Sequence, residues 1–451
     1  MSGSNKIHCI GIGGIGLSGI AQIFNEKGFL VTGSDIEDSF MLRQMGQKGI
    51  KISIGHNESN ITKDISQVIY SSAIPKNNVE YKKAKKLNIP LISFSQAVKE
   101  FTDNLYTIAV CGTHGKTTVT AFASIAMIAG KKDPTVVIGS HLKEFNNNNY
   151  RLGNGDSFIV EACEYKRNFL NYNPDIIILT NIEAEHLDYF KDLEDYKKAF
   201  KEFVSRVPEN GFVIANADDE NVRDVISGLR CNVILFSAKD KNCDWYLNGN
   251  EIWKAGELIG ELSLKLPGEF NKLNALCGLI LGQVFNIDRE TILNEFHDFK
   301  GAWRRFEEIG DFFDIKIISD YAHHPTAIKK TLLAAKEKYP DSNICCIFQP
   351  HQYNRTKLFL AEFAKAFKDA DTIIIPNIYK VRDKKTDVKD ISPDILVDAL
   401  KSENKNAYKI ENYYDIAKFL ADEKNSIDIV FIMGAGDIWK LGDYLLTEYP
   451  A

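Results

Sequence analysis

The 451-residue chain is short of several features that would each have pointed to a class of protein. No apolar run approaches the ~20 residues that a membrane-spanning helix needs. The first residues, Met1 to Lys6, lack the charged-then-apolar layout of a secretory leader. Both absences set the expectation of a cytoplasmic protein with no membrane partner. The eight cysteines include no C-x-x-C pair, so neither a zinc site nor a disulfide framework is indicated. Cys9, Cys111, Cys345 and Cys346 fall inside apolar strand-like runs and are expected to be buried, reduced thiols. A basic excess is missing too. Lys and Arg number 55 against 61 Asp and Glu, a formal charge of -6 with the signs mixed along the chain. Nucleic-acid binding usually leaves a basic footprint, so nucleic acid is not expected as a partner. No short-period repeat is visible. Hydrophobic (44%) and charged (26%) shares are ordinary, which argues against disorder and against a fibrous fold.

What is present is a length sufficient for about three domains at ~150 residues each, and a pattern of short β-branched runs alternating with amphipathic stretches. That alternation signals parallel sheets with crossover helices, an α/β class. A first block opens with KIHCI, a Gly-rich turn and a helical stretch from Ile15 to Lys27, and continues through FLVTG, QVIYS and PLISF. A second starts with LYTIAVC and carries FIVEA, DIIILTN, GFVIAN, NVILF and a helical stretch from Phe270 to Phe285. A third begins near Gly301 with IKIISD, NICCIF, TIIIP and DIVFIMG. The most loop-like segment is NNNNYRLGNGD, residues 146–156, read as a surface loop.

Two phosphate-binding turns stand in one chain. Gly11, Gly13 and Gly16 form G-x-G-x-x-G between a strand and a helix. Glycines there permit a tight turn and close approach of backbone N–H groups to a diphosphate at the helix N-terminus. Asp35 ends the next strand, where an acidic side chain can meet a ribose or base. Alone, this reads as an NAD site. The second turn, GTHGKTT from Gly112 to Thr118, follows a strand and precedes an apolar helix. Lys116 would place a charge on the β- and γ-phosphates, and the Thr117 hydroxyl would ligate Mg²⁺. The spacing departs from the common G-x-x-x-x-G-K-[ST], because position 110 is Val. A dehydrogenase has no use for this second turn. Two nucleotides are therefore expected: a diphosphate-bearing substrate on the first block and ATP on the second.

FIVEACE puts Glu161 at the C-terminal end of a strand, where α/β proteins collect ligands. Mg²⁺ favours one or two carboxylates with phosphate oxygens and water, so Glu161 with Thr117 and ATP makes a sensible shell. ILTNIEAEHLDYF places His186 after a later strand, where a core histidine and a site histidine read alike. Past Trp303, the side chains of Arg304, Arg305, His323, His324, His351 and Arg355 edge apolar strands. Such clusters can hold a γ-phosphate or a substrate carboxylate.

Taken in order, GIGGIGLSGIA, GTHGKTT, EACE, TNIEAEHLDYF, RRFEE, DYAHHPTAI and FQPHQYNRT resemble the Mur ligases of peptidoglycan synthesis, from residue 6 to about 440. The resemblance implies three α/β domains: a Rossmann-like UDP-sugar domain at 1–103, a central P-loop ATPase domain at 104–300 and a Rossmann-like amino-acid domain at 301–451. It implies ATP and Mg²⁺, with UDP-N-acetylmuramate and L-alanine as substrates, in a monomer or homodimer. Gly11, Gly13, Gly14, Ile15 and Gly16, with Asp35, Ser71 and Ser72, would hold the UDP-sugar. Gly112, Thr113, His114, Gly115, Lys116, Thr117 and Thr118 would cradle ATP, with Asn271 and Asn274 at its nucleotide end. Thr117, Glu161 and His186 would bind metal, and Arg305 and Asp320 would close over ATP. Tyr321, His323, His351 and Arg355 would face the amino acid. Lys116, His186, Arg305 and Asp320 are the implied catalytic set.

Three departures from the family pattern stand out. Gln352 replaces a frequent Arg, and EACEYKRN replaces the commoner EADES form. Several sister ligases carry a carbamylated lysine on the helix after the metal histidine. Registering that helix on Tyr196 puts Phe200 there, with Lys198 and Lys201 facing elsewhere, so no carbamate is expected.

Overall fold

The structure, a computed structural model, describes residues 5–381, 383, 387–403 and 405–449. It packs as two compact units, one of the residues up to Ser263 with Leu273–Asp298, the other of Leu264–Lys272 with those from Phe299 onward.

The first unit holds two sheets. The N-terminal one comprises β1 (Lys6–Ile10), β2 (Leu30–Asp35), β3 (Lys51–Ile54), β4 (Gln67–Tyr70) and β5 (Leu91–Ser93), all parallel in the order β3-β2-β1-β4-β5. Short β-branched strands at the centre, such as β1 and β4, bury both faces, as parallel sheets under crossover helices do. The expected helix after the Gly-rich turn is Ile15–Glu26, one residue shorter than read from the pattern. Ser93 and Gln96 form a capping box that starts the helix Phe94–Thr102 directly after this sheet's last strand, β5.

The second sheet of this unit contains β6 (Tyr106–Cys111), β7 (Thr135–Leu142), β8 (Asn148–Arg151), β9 (Ser157–Glu161), β10 (Ile176–Leu179), β11 (Phe212–Asn216), β12 (Asn232–Ser237), β13 (Trp245–Asn248), β14 (Glu251–Lys254) and β15 (Glu257–Glu261). Their order is β15-β14-β13-β12-β11-β10-β6-β9-β7-β8. The central strands β6, β9, β10 and β11 are parallel, which gathers their C-terminal ends on one edge. The asparagine-rich segment 146–156 is not a plain surface loop, because residues 148–151 form β8, antiparallel to β7, and Asn149 and Tyr150 are buried. Tertiary packing against the first helix overrides the loop-like composition.

The second unit carries β16 (Glu307–Phe312), β17 (Ile315–Asp320), β18 (Ile344–Phe348), β19 (Thr372–Ile375), β20 (Asn406–Lys409) and β21 (Ile429–Met433), ordered β16-β17-β21-β18-β19-β20. All but β16 are parallel. Cys9, Cys111, Cys345 and Cys346 are fully buried, and all eight cysteines are free thiols. No helix among the described residues is long and apolar enough to cross a membrane.

Candidate functional site

The first glycine turn is built almost wholly from backbone. Gly11 has φ +77°, a left-handed conformation that suits glycine, and the Gly11 and Ile12 amides both donate to the Ser34 carbonyl. A Cβ on Gly16 would lie 2.7 Å from the Phe94 ring, and one on Gly13 would lie 2.9 Å from the Asp35 carboxylate. Among the described residues no side chain caps the helix at Gly14, so the amides of Ile15, Gly16 and Leu17 have no intrahelical acceptor. The Asp35 carboxylate accepts from the Gly13 amide at 2.8 Å on one oxygen and from the Ile36 amide at 2.8 Å on the other. It therefore props the turn. Ser71 closes the opposite side, with its amide donating to the Ile10 carbonyl. The Ser72 carbonyl accepts from Lys166 Nζ at 3.0 Å.

The second turn brings charged side chains together. Lys116 donates to the carbonyls of Gly112 and Thr113 and lies 3.1 Å from the Glu164 carboxylate. The Tyr196 hydroxyl donates to Glu164 Oε1 at 3.0 Å, and His186 Nε2 stands 3.5 Å from the same oxygen. Burial alone would raise the Glu164 carboxyl, but Lys116 and His186 outweigh it and hold it at about 2. Burial likewise opposes the Lys116 ammonium, yet Glu164 and Glu161 keep it above its ordinary value. His186 has a left-handed backbone (φ 55°), and its Nδ1 is buried with no hydrogen-bond partner among the described residues. Beside this group, Thr117 Oγ1 donates to Glu161 Oε1 at 3.0 Å while the Gly139 amide donates to Glu161 Oε2 at 2.7 Å.

The segment after β10 shapes the turn from outside. The Thr113 amide donates to the Asn181 carbonyl, the His114 amide to Asn181 Oδ1, and the Thr180 hydroxyl to the His114 carbonyl. His114 Nε2 is 2.9 Å from Glu183. Gly112 and Gly115 have φ +133° and +82°, and a Cβ on Gly112 would collide with Thr180 Oγ1. Thr118 is buried in the first turn of the following helix, Lys116–Ala129. Asn274 reaches this loop, since a Cβ on Gly115 would lie 2.8 Å from its Oδ1.

In the second unit, Tyr321 collects cations: Arg304 and Arg305 lie 4.9 and 4.8 Å from its ring centroid. Arg304 is buried and donates to the Gly434 carbonyl, and burial lowers its guanidinium to about 10. Asp320 ends β17 with one oxygen accepting from the Phe306 amide at 2.8 Å and the other from the Ala322 amide at 2.7 Å. Burial raises its carboxyl. His323 Nδ1 pairs with the Tyr321 carbonyl at 2.9 Å, and its ring is 6.1 Å from that of His351. His351 stacks on Tyr379, and Arg355 Nη1 is 3.3 Å from His351 Nδ1. Gln352 adopts φ 74° and ψ 128°, a sparsely populated conformation for a residue with a side chain. Asn271 donates to the Pro267 carbonyl and belongs to this unit, whereas Asn274 belongs to the first.

Comparison with known proteins accounts for this arrangement. Family models match residues 6–106 (Mur ligase family, catalytic domain), 110–282 (Mur ligase middle domain) and 304–436 (Mur ligase, glutamate ligase domain). The chain belongs to the Mur ligase family. Among its relatives are UDP-N-acetylmuramate–L-alanine ligases from Acetivibrio thermocellus, 41% identical over 98% of this chain and 96% of the relative, and Clostridium tetani, 40% identical over 98% of both. The solved UDP-N-acetylmuramate-alanine ligase of Thermotoga maritima shares 30% identity at a TM-score of 0.83, covering 98% of this chain and 99% of its own. The murein peptide ligase of Psychrobacter arcticus has the same fold, with a TM-score of 0.76 and 24% identity over 99% of both chains.

As a Mur ligase, the chain also presents site features that sequence reasoning passed over. Tyr196, used only to register its helix, joins Thr113 and Glu164 through its hydroxyl. Phe200 is buried on that helix, while Lys198 and Lys201 are exposed. Thr180, Asn181 and Glu183 support the phosphate turn, and Lys166 reaches Ser72. The opening TNIE of the motif TNIEAEHLDYF held the signal for the loop supports. Lys166 lies in EACEYKRN, the segment that departs from the family pattern, though its reach to Ser72 could not be read there.

Proposed function

We propose that this Mur ligase joins L-alanine to the lactyl carboxylate of UDP-N-acetylmuramate with cleavage of ATP to ADP and phosphate. What supports the substrate pair is the agreement, over nearly the whole chain, with relatives named for that reaction. The chemistry rests on one observation above all: Lys116 and Thr117 stand in a glycine turn against two carboxylates, the buried Glu164 and the half-buried Glu161.

In our reading residues 1–103 hold the UDP-sugar, 104–300 hold ATP and 301–451 hold the amino acid. The amides of Ile15 to Leu17 face the diphosphate of the UDP-sugar, with Gly11, Gly13, Gly14, Gly16, Ser71 and Ser72 shaping the turn. Lys116 moves from Glu164 onto the β- and γ-phosphates, and the turn from Gly112 to Thr118 wraps the phosphate chain. Thr117 and Glu161 are oxygen donors 3.0 Å apart, a set that suits Mg²⁺, and His186 Nδ1 is a further donor. Bound there, Mg²⁺ would offset charge on the phosphoryl oxygens. A lactyl carboxylate oxygen attacks the γ-phosphorus and the bond to ADP breaks, giving an acyl phosphate. The neutral amine of alanine then attacks the acyl carbon, phosphate leaves, and the amide forms after loss of a proton. Arg305 assists the transferring phosphoryl group, His351 and Arg355 orient the alanine carboxylate, and Asp320 shapes the turn that carries Arg305.

ADP release with UDP-N-acetylmuramate, measured separately with L-alanine, glycine, L-serine and tripeptide, tests the proposal. L-Alanine is expected to give the highest kcat/KM. Activity with tripeptide alone would move the chain to the recycling branch of the family.

A further inference from the structure

The β7–β8 hairpin reaches the first glycine turn directly, at Ile15, and the second through Glu161, which accepts from Thr117. At one end, the β7 amide of Gly139 holds Glu161 Oε2 at 2.7 Å, and a Cβ at Gly139 would lie 2.6 Å from that oxygen. At the other end, β8 lies directly on the first helix, Ile15–Glu26. Asn149, fully buried, donates its amide to the Ile15 carbonyl and to Ser18 Oγ. The Ser18 hydroxyl donates to the same Ile15 carbonyl at 3.0 Å. Gly19 makes the approach feasible, since a Cβ there would lie 3.3 Å from both Asn149 Nδ2 and Tyr150 Cβ. At the far end of the helix, the Tyr150 hydroxyl donates to Glu26 and accepts from Lys48. Asn149 Oδ1 stays buried without a hydrogen-bond partner among the described residues. An unpaired buried acceptor offsets part of what the two amide hydrogen bonds contribute to stability.

We infer that Asn149 is a positioning residue for the UDP-sugar: it fixes the first turn of the helix whose amides face the diphosphate. The inference deepens the proposed function and rests on its placement of the UDP-sugar at the glycine turn. The physical reason is local. Ile15 is the first helical residue, and its carbonyl bonds anchor the peptide planes whose N–H groups point the other way, at the ligand. The same hairpin backs Glu161, so each end can be perturbed without touching the other.

The test uses the full-length enzyme, with UDP binding by calorimetry and KM values for UDP-N-acetylmuramate and ATP. Asn149→Ala is expected to weaken UDP binding and raise the UDP-sugar KM about five- to tenfold, the loss of one to two hydrogen bonds, with the ATP KM within about twofold. Gly139→Ala should do the reverse, raising the KM for ATP and Mg²⁺ alone. Tyr150→Phe, on the same strand, should lower Tm and leave both KM values in place. Ser18→Ala combined with Asn149→Ala should fall short of additivity, and Ser18→Ala alone serves if Asn149→Ala does not fold. Equal rises in both KM values, or a lower Tm with unchanged UDP binding, would overturn the inference. A wild-type enzyme that binds UDP but releases no ADP with L-alanine would sink the ligase reading instead, leaving the Asn149 result on UDP binding readable.

Discussion

The two phosphate turns of the first unit follow a similar strand–glycine–helix plan and differ in what they present. The turn from Gly11 to Gly16 offers backbone amides, and its one acid, Asp35, is occupied by two of them. The turn from Gly112 to Thr118 carries a lysine and faces two carboxylates, one buried and one half-buried, with a histidine beside them. Fixed dipoles bind a diphosphate without changing its reactivity. Mobile or exchangeable charges can follow the charge that builds up during phosphoryl transfer. On the proposed function, holding and reacting are divided between the turns.

That division breaks most visibly at Lys116. Lys116→Ala is expected to reduce turnover by about 10²–10³-fold while the Kd for UDP-N-acetylmuramate stays within about twofold. Equal losses in both, read by ADP release and calorimetry, would erase the contrast. Next comes Gly16→Ala, whose methyl meets the Phe94 ring, and which should raise the UDP-sugar KM about tenfold with kcat little changed. Smaller still is Tyr196→Phe. Losing its hydrogen bond to Glu164 should cost about fivefold in kcat and nothing in UDP binding.

A last measurement separates fold from chemistry in the N-terminal sheet. Glu80 is buried and accepts from His8, Ser34, Asn57 and Asn60. Burial would raise its carboxyl, but these donors hold it at about 2. A depressed carboxyl stabilises the folded chain above its unfolded value near 4.5 and loses that contribution as pH falls toward 2. Glu80→Gln should therefore lower Tm by about 3 °C at pH 7, with the gap to wild type narrowing below pH 4.5 in thermal melts.

Much of this was legible in the residues. β-branched runs marked β1, β6, β9, β10 and β21 because both faces of central parallel strands are apolar, and the glycine turns announced themselves by spacing. The helical stretch read at Phe270–Phe285 is Glu269–Val284. Edge strands were not legible. The meander β13 to β15 and the hairpin strand β8 are short and half polar, and their pairing depends on neighbours distant in sequence. The site followed the same rule. Lys116 and Glu161 could be named from local motifs, whereas the roles of Tyr196, Asn181 and Asn149 arise from side chains meeting across strands and helices. Asp35 ends β2 as the pattern indicated, but that its carboxylate accepts from the Gly13 and Ile36 amides is a matter of three-dimensional geometry.

The buried thiols carry a practical consequence. Cys9 lies in the N-terminal sheet, Cys111 in the central one and Cys345 in the third, each fully enclosed, and burial raises all three thiols, Cys9 and Cys345 to about 12. Such groups react with an alkylating reagent only when the surrounding strands part. Peptide-resolved alkylation would thus clock the breathing of three layers separately, using reporters the chain already contains.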